Sequence, residues 1–403
     1  PDAAPGRAAQ LSDPARRHRH RQRKMAVMPD QSPLKILHVF RSPVGGLFRH
    51  VVDLVEGQSA RGHQVGMVLD SKTGGIHADT TLARIAERCK LGITRIPMDR
   101  HIGLRDLQAV FHVSRRIAQT QPDIVHGHGA KGAAYARLAA KSRAITVCTP
   151  HGGSLHYDTR SPVGLLYITL EKVLRRRTDL FLFESDFAER SFRTLIGDPN
   201  AMVKVVRNGV AESEFAEVAL EADATDLLFI GELRDLKGVD VLLDAVAISR
   251  QASMPLSVTI VGDGPARHAL HRQAERLGLT GAVRFKAPMP ARKAFALGRI
   301  VVVPSRKESL PYIILEIAAA GKPLIATNVG GIPEIFGPQS DLLIPAGDSA
   351  ALANTLMQYV NHPETIVASS RLLQTRIRTN FSLANMVEDG IRAYRAAIAA
   401  GKS

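Results

Sequence analysis

PSRKESLPYIILEIAAAGKPLIATNVGGIPE, residues 304–334, is the stretch from which the rest of the chain is read. Two of its three carboxylates, Glu308 and Glu316, stand with seven residues between them. The first sits in a turn rich in Ser and Lys. The second belongs to an apolar helix expected to start near Leu310, with Pro311 in its first turn, where a missing N–H costs nothing. Gly321 and Pro323 stop that helix, and Leu324-Ile325-Ala326 reads as the next buried strand. Gly330-Gly331 then open a short helix at Ile332, an N-terminus suited to an anion. A loop carboxylate, a helix carboxylate and a backbone anion nest thus fall at neighbouring strand ends, where open parallel sheets bind ligands. The layout suits a ligand with both hydroxyls and phosphates.

Upstream, strands and helices alternate. LKILHVF begins at Leu34, RSPVGG follows, and residues 47–60 carry helix-spaced apolar positions. The rhythm continues through strands at 64–70, 92–98, 123–128, 144–153, 179–185 and 203–209. Between them lie helices near 81–91, 106–120, 130–141 and 162–177. The acidic stretch 211–224 breaks it, and it restarts with strands at 226–231, 256–262, 282–287, 299–305, 323–327 and 341–346. Helices fall near 238–250, 266–277, 291–297, 310–320, 349–360 and 364–378, with a last one from Ser382 to Ala399. Such alternation means parallel sheets covered on both faces. The expected fold is α/β, two doubly wound Rossmann-like domains facing a cleft.

The 403 residues, 45% hydrophobic, are ample for two or three cores. Cys89 and Cys148 form neither a disulfide framework nor a metal spacing, and read as core residues of a cytosolic protein. No apolar run reaches membrane-spanning length, and no apolar segment marks a signal peptide. The formal charge of +15 divides as +4 over residues 1–30, +11 over 31–209 and 0 over 210–403. A basic first half implies an anionic partner such as a lipid surface, a lipid diphosphate or nucleic acid. Aromatics make up only 5% of the chain and are not interleaved with the basic residues, which disfavours nucleic acid. Residues 1–30 lack periodicity and are expected to be disordered, with Met25 or Met28 a candidate start.

Several smaller features bear on chemistry. Gly45-Gly46 reads equally as a diphosphate-binding turn and as a plain strand–helix turn. Arg234 and Lys237, in GELRDLKG, would neutralise a leaving diphosphate or stand as solvated loop charges. In VGDGP, Gly262 and Gly264 keep the backbone bare around Asp263, for a ligand or for a turn. His126, His128 and His151 end two strands of the first half and are expected to face the cleft. With no carboxylate or Cys nearby as third ligand, HxH falls short of a zinc site.

Taken together, ESLPYIILE with AAAGKPLIATNVGGIPE, VGDGP, GELRDLKG, RNGV (207–210) and SPVGGLFRHVVDL resemble family 4 of the retaining glycosyltransferases, of GT-B fold, from about Leu34 to Tyr394. The resemblance implies a hexosyltransferase-type enzyme that moves a sugar from a nucleotide diphosphate donor, as co-substrate, to an acceptor hydroxyl with the anomeric configuration kept. It implies no metal and no other cofactor. Glu308 would hold donor-sugar hydroxyls, Glu316 the ribose, and Lys237 the phosphates. Gly46, with Gly45, would lie against the diphosphate, and His151 near the sugar. Arg234, Gly262 and the turn Ser309-Leu310-Pro311 complete the expected donor site, with His126 and His128 as acceptor-side candidates. The leaving phosphate would help deprotonate the incoming hydroxyl.

The implied domains are a basic extension (1–30), an acceptor-binding domain (31–209), a linker (210–224), a nucleotide-sugar-binding domain (225–380) and a helix crossing back to the first domain (381–403). Three positions depart from the family pattern. Glu232 stands where Arg follows the glycine, Ser309-Leu310-Pro311 replaces Gly-Phe-Gly after Glu308, and Ala287 replaces a glycine. The expected setting is cytoplasmic, at the inner face of the plasma membrane, with a sugar or lipid-linked acceptor of polysaccharide or lipopolysaccharide assembly. The alternatives are a GT-B nucleotide-sugar epimerase and a non-catalytic basic module for membrane surfaces or nucleic acid.

Overall fold

Ile36 to Phe40 are buried without interruption, as a strand covered on both faces must be. This strand, β1 (Lys35–Phe40), pairs in parallel with β2 (Gln64–Asp70) on one side and β4 (Ile124–His128) on the other. Adding β3 (Gly92–Ile96), β5 (Ile145–Thr149), β6 (Leu180–Phe183) and β7 (Met202–Val205) gives a seven-stranded sheet of order β3-β2-β1-β4-β5-β6-β7. The second sheet comprises β8 (Thr225–Ile230), β9 (Val258–Val261), β10 (Val283–Lys286), β11 (Gly298–Val303) and β12 (Leu324–Ala326), in the order β10-β9-β8-β11-β12. The structure is a computed structural model that describes residues 32–140, 143–152 and 161–401; the basic extension 1–30 lies outside the described residues. Both sheets belong to one compact unit that begins at Leu34.

Strand order reverses direction between β1 and β4 in one sheet and between β8 and β11 in the other. Crevices open at such switch points beyond the carboxyl ends of the strands. The loops found there carry the sequence features singled out above: Gly45-Gly46 after β1, Lys237 after β8 and Glu308 after β11.

The last helix, Leu383–Gly401, leaves the second lobe and packs on the first sheet. Its Met386, Val387, Ile391 and Tyr394 share a core with Ile36, Ile124, Val147 and Leu180. The crossing runs beside the interlobe strand of chain, with Val210 bridging Ser382. A side chain at Gly209 would collide with the Ser382 backbone there. That contact explains the glycine of RNGV.

Three expectations of local structure need correction. DLLIPA (341–346) is no strand: a 3-10 segment occupies Gly337–Leu342, and Ile344 makes a single bridge to Thr327. Its neighbour β12 has only three residues, too short to template more. A helix over Asp186–Leu195 escaped notice because its surface is charged; Ser185 caps it through the Ala188 N–H, and Ala188 and Phe192, four apart, are its buried face. The helix placed near 81–91 is Gly75–Ile85, opened by Gly74 in a left-handed conformation.

Candidate active site

A cavity of about 760 Å³ lies between the lobes. Gly45 and Gly46 line its first-lobe wall and open the 16-residue helix Gly45–Ala60, whose free N–H groups and dipole favour an anion. Gly45 has φ +64, with open space where a side chain would be.

The opposite wall holds the Glu308 turn. Glu308 is almost buried, and its Oε1 accepts from Lys237 Nζ at 2.6 Å and from the Ser305 hydroxyl at 2.7 Å. Pro311 lies just before the first turn of the helix Tyr312–Ala319, not inside it. That helix aims Glu316 into the cavity, where it pairs with Arg49 from the first lobe. Arg49 also bonds Glu214 at 2.8 Å and lies 4.9 Å from the Tyr312 ring centre. One guanidinium thus joins both lobes and the linker across the site. Ser309, Leu310 and Pro311 line the cavity as expected.

Other expected site residues sit elsewhere. Arg234 does not line the cavity; it turns to Glu232 at 3.6 Å, the residue that replaces the family's arginine. Gly262 does not line it either: a side chain there would strike the Gly231 carbonyl, so its bareness serves loop packing. Gly330-Gly331 form no anion nest. The Gly331 N–H is spent on the Ser309 carbonyl at 2.6 Å, and a side chain on Gly330 would strike the Glu308 carbonyl. The pair buttresses the Glu308 turn instead.

His151 lines the cavity, in a left-handed backbone conformation (φ 50). His126 and His128 do not: both are buried behind it. His126 binds the Tyr394 hydroxyl at 2.7 Å and Thr149 at 2.8 Å, tying the crossing helix to the first sheet. His38 and His50 join them, two histidines that the sequence reading did not place in this group. Ring nitrogens of His38, His126 and His128, and of His50, His128 and His151, approach within 4.8 Å of one another. Burial drives the whole group toward neutrality, His38 to about 4, His50 to about 3, and His126, His128 and His151 well below the usual imidazole value.

Sequence reading missed three cavity carboxylates or their partners. Asp53, one turn beyond Arg49, is pushed up to about 6 by burial, with Arg49 opposing. Glu184, at the end of β6, takes the Ser309 hydroxyl at 2.5 Å, and burial raises its carboxyl. Arg49 stands in the quoted GGLFRH segment, and its i,i+4 spacing to Asp53 was the available signal. Glu184 gave none, because a strand-end glutamate in LFLFES looks like an ordinary surface residue.

Two Rossmann-like lobes facing a cleft, with a final helix returning to the first, define the GT-B fold. Comparison with known proteins agrees. The family model Glycosyltransferase Family 4 matches residues 44–214, and Glycosyl transferases group 1 matches residues 224–362. The chain belongs to this family of glycosyltransferases and transfers a sugar from a nucleotide sugar. It is 25% identical to a glycogen synthase of Mycobacterium tuberculosis over 380 residues, 88% of this chain and 92% of that protein. Its fold is similar to sucrose-phosphate synthase from Thermosynechococcus elongatus, with TM-score 0.77, 20% identity, and coverage of 92% and 100% of the two chains. WaaG, a glycosyltransferase involved in lipopolysaccharide biosynthesis, shares the fold at TM-score 0.65 and 16% identity, over 89% and 98%. The epimerase and binding-module alternatives are not favoured.

Proposed function

We propose that this chain is a retaining hexosyltransferase that needs no metal and builds cell-surface polysaccharide or lipopolysaccharide at an anionic membrane. The observation that carries the reading is the pairing of two walls: Glu308 held by Lys237 and Ser305 on one side, the Gly45–Ala60 helix N-terminus on the other. The helix end and Lys237 supply the positive charge that a departing diphosphate requires. Glu308 would take sugar hydroxyls. The ribose would compete with Arg49 for Glu316, so donor binding exchanges an interlobe ion pair for a diol. Glu308, Glu316, Glu184 and Asp53 each already have a partner. That supports same-face transfer in which the leaving phosphate takes the acceptor proton.

A screen of nucleotide sugars for thermal stabilisation names the donor, since a ligand that binds the folded state raises apparent stability by mass action. Release of nucleoside diphosphate with an acceptor, and the anomeric configuration of the product by NMR, then test transfer and retention. An epimer formed without nucleoside diphosphate release would overturn the proposal.

The membrane part rests on a surface. On the helix Pro162–Leu174, Val163, Leu165, Leu166, Leu170 and Val173 face outward. Leu104, Leu107 and Phe111, 64–86% exposed, stand on and just before the helix Arg105–Thr120. The Tyr167 hydroxyl meets the Arg100 carbonyl at 3.4 Å, linking the first helix to the loop leading into the second. Arg176 and Arg177 are exposed at the end of this surface, and Arg105 and Arg115 on the second helix add charge. Apolar residues flanked by arginines fit an anionic lipid interface. No helix among the described residues is long and apolar enough to cross a membrane.

Vesicles containing phosphatidylglycerol should therefore bind the protein, and salt should weaken the binding. Arg176→Gln with Arg177→Gln should lower affinity roughly 30-fold at about 1 kcal/mol per charge. Failure to bind such vesicles at any salt concentration would remove this part of the proposal.

A further inference from the structure

Four groups form an unbroken hydrogen-bonded line from the first-lobe interior to the cavity. Gln58 Oε1 lies 2.9 Å from His38 Nε2, and His38 Nδ1 lies 2.9 Å from His128 Nε2. His128 Nδ1 lies 3.0 Å from His151 Nε2. Gln58, His38 and His128 are buried to 1% exposure or less, and His151 lines the cavity. The sequence places them on four separate elements: the Gly45–Ala60 helix, β1, β4 and the turn after β5.

With the Gln58 carbonyl toward His38, the protons in this line follow in order. A carbonyl oxygen only accepts, so the Gln58 oxygen requires a proton on His38 Nε2. A neutral imidazole has one N–H, so His38 Nδ1 is then an acceptor and His128 Nε2 must donate to it. By the same step His128 Nδ1 accepts, and His151 Nε2 donates. Three hydrogen bonds use three protons, and His151 Nδ1 is left as a lone pair. Burial keeps each ring neutral, as this assignment requires. Gln58 turns its Oε1 to His38, and its buried Nε2 has no hydrogen-bond partner among the described residues.

We propose that Gln58, His38 and His128 are positioning residues that hold His151 as the Nε2–H tautomer and so present a hydrogen-bond acceptor, Nδ1, to a sugar hydroxyl in the cavity. The fixed acceptor favours a neutral hydroxyl at that position of the sugar and disfavours a carboxylate, because two lone pairs repel. The left-handed backbone of His151 fits this role, since strain of that kind is retained where surrounding structure over-determines a residue. The proposal rests on the cavity being the sugar site.

The test reads the tautomers directly. In the full chain with 15N-labelled histidine, His38, His128 and His151 should each show a protonated Nε2 and an unprotonated Nδ1 at neutral pH, with no ligand added. Gln58→Met keeps length and packing but removes the acceptor. It should give mixed tautomers at His151 while leaving the His126 signals and the folded spectrum intact. With the nucleotide sugar found by the screen, kcat/KM should fall roughly tenfold, the value of one lost hydrogen bond. A residue that only fills space would leave the His151 tautomer unmoved on this substitution, and that result overturns the proposal. So does a wild-type spectrum with the proton on His151 Nδ1, or a stoichiometric metal in the purified protein that a chelator removes with a change in these signals. Wild-type turnover in Glu308→Gln would instead sink the sugar-site assignment and leave the tautomer result standing.

Discussion

Glu308→Gln should lower kcat/KM for the true donor by about 10²–10³, the cost of removing one preorganised charge-stabilising contact in an active site. Its thermal stability should stay close to wild type. Gln keeps the shape and an amide oxygen for Lys237 and Ser305, so the turn keeps its two bonds while losing the negative charge. Glu308→Ala should lose as much activity, but it also strips the partly exposed Lys237 and the buried Ser305 of their shared acceptor, and the unsatisfied Ser305 hydroxyl costs about 1–3 kcal/mol. Comparing the two variants therefore separates chemistry from folding. A Glu308→Gln enzyme with wild-type rates would remove Glu308 from the sugar site. Glu316→Gln is the informative companion. It weakens the interlobe pair with Arg49 as well as any ribose contact, so its effect should fall mainly on KM.

The fold was legible because buried parallel strands write short apolar runs; β6 and β11 are of that kind, and β1 is broken only by His38. The Glu308 turn and the Gly45 helix were legible because strand ends at switch points can be counted along the chain. What escaped notice arises between elements far apart in sequence. Nothing in GELRDLKG says that Lys237 rather than Arg234 reaches the cavity; that follows from Lys237 closing the 3-10 turn Asp235–Lys237 toward Glu308, while Arg234 is drawn aside by Glu232. Gly262 and Gly330 looked like ligand-facing glycines. Both are bare because a neighbouring carbonyl needs the room, which a glycine count cannot distinguish. The histidines were noticed singly at strand ends. Their common burial with His38 and His50 depended on the β1–β4 register, which pairs His38 with His126.

Acidification should unfold the first lobe well before the carboxylates of an ordinary protein titrate. His38, His50, His126, His128 and His151 are neutral in the fold because burial depresses all of them, His38 to about 4 and His50 to about 3. In the unfolded chain each would protonate near 6.5. Unfolding below that pH therefore takes up protons, and stability that is full above pH 6.5 is lost as pH falls toward 4. Five such groups give a slope approaching roughly 7 kcal/mol per pH unit. Asp53 acts in the opposite sense: burial raises its carboxyl to about 6, so between about 4 and 6 the folded state keeps a proton the unfolded state releases. Burial shifts Glu184 in the same direction. The net uptake is then about three to four protons, or roughly 4–5 kcal/mol per pH unit. With domain stabilities of about 5–15 kcal/mol, a fall of two units below 6.5 removes most or all of the margin. Urea titrations at pH 7.5, 6.5, 5.5 and 5.0, followed by a probe in the first lobe, measure that slope. Replacing His126 by Gln, which keeps a donor and an acceptor toward Tyr394 and Thr149, should reduce it by about one proton. A slope of one proton or less in the wild type would mean that the cluster accommodates charge inside the fold, and its reading as a neutral, buried network would be wrong.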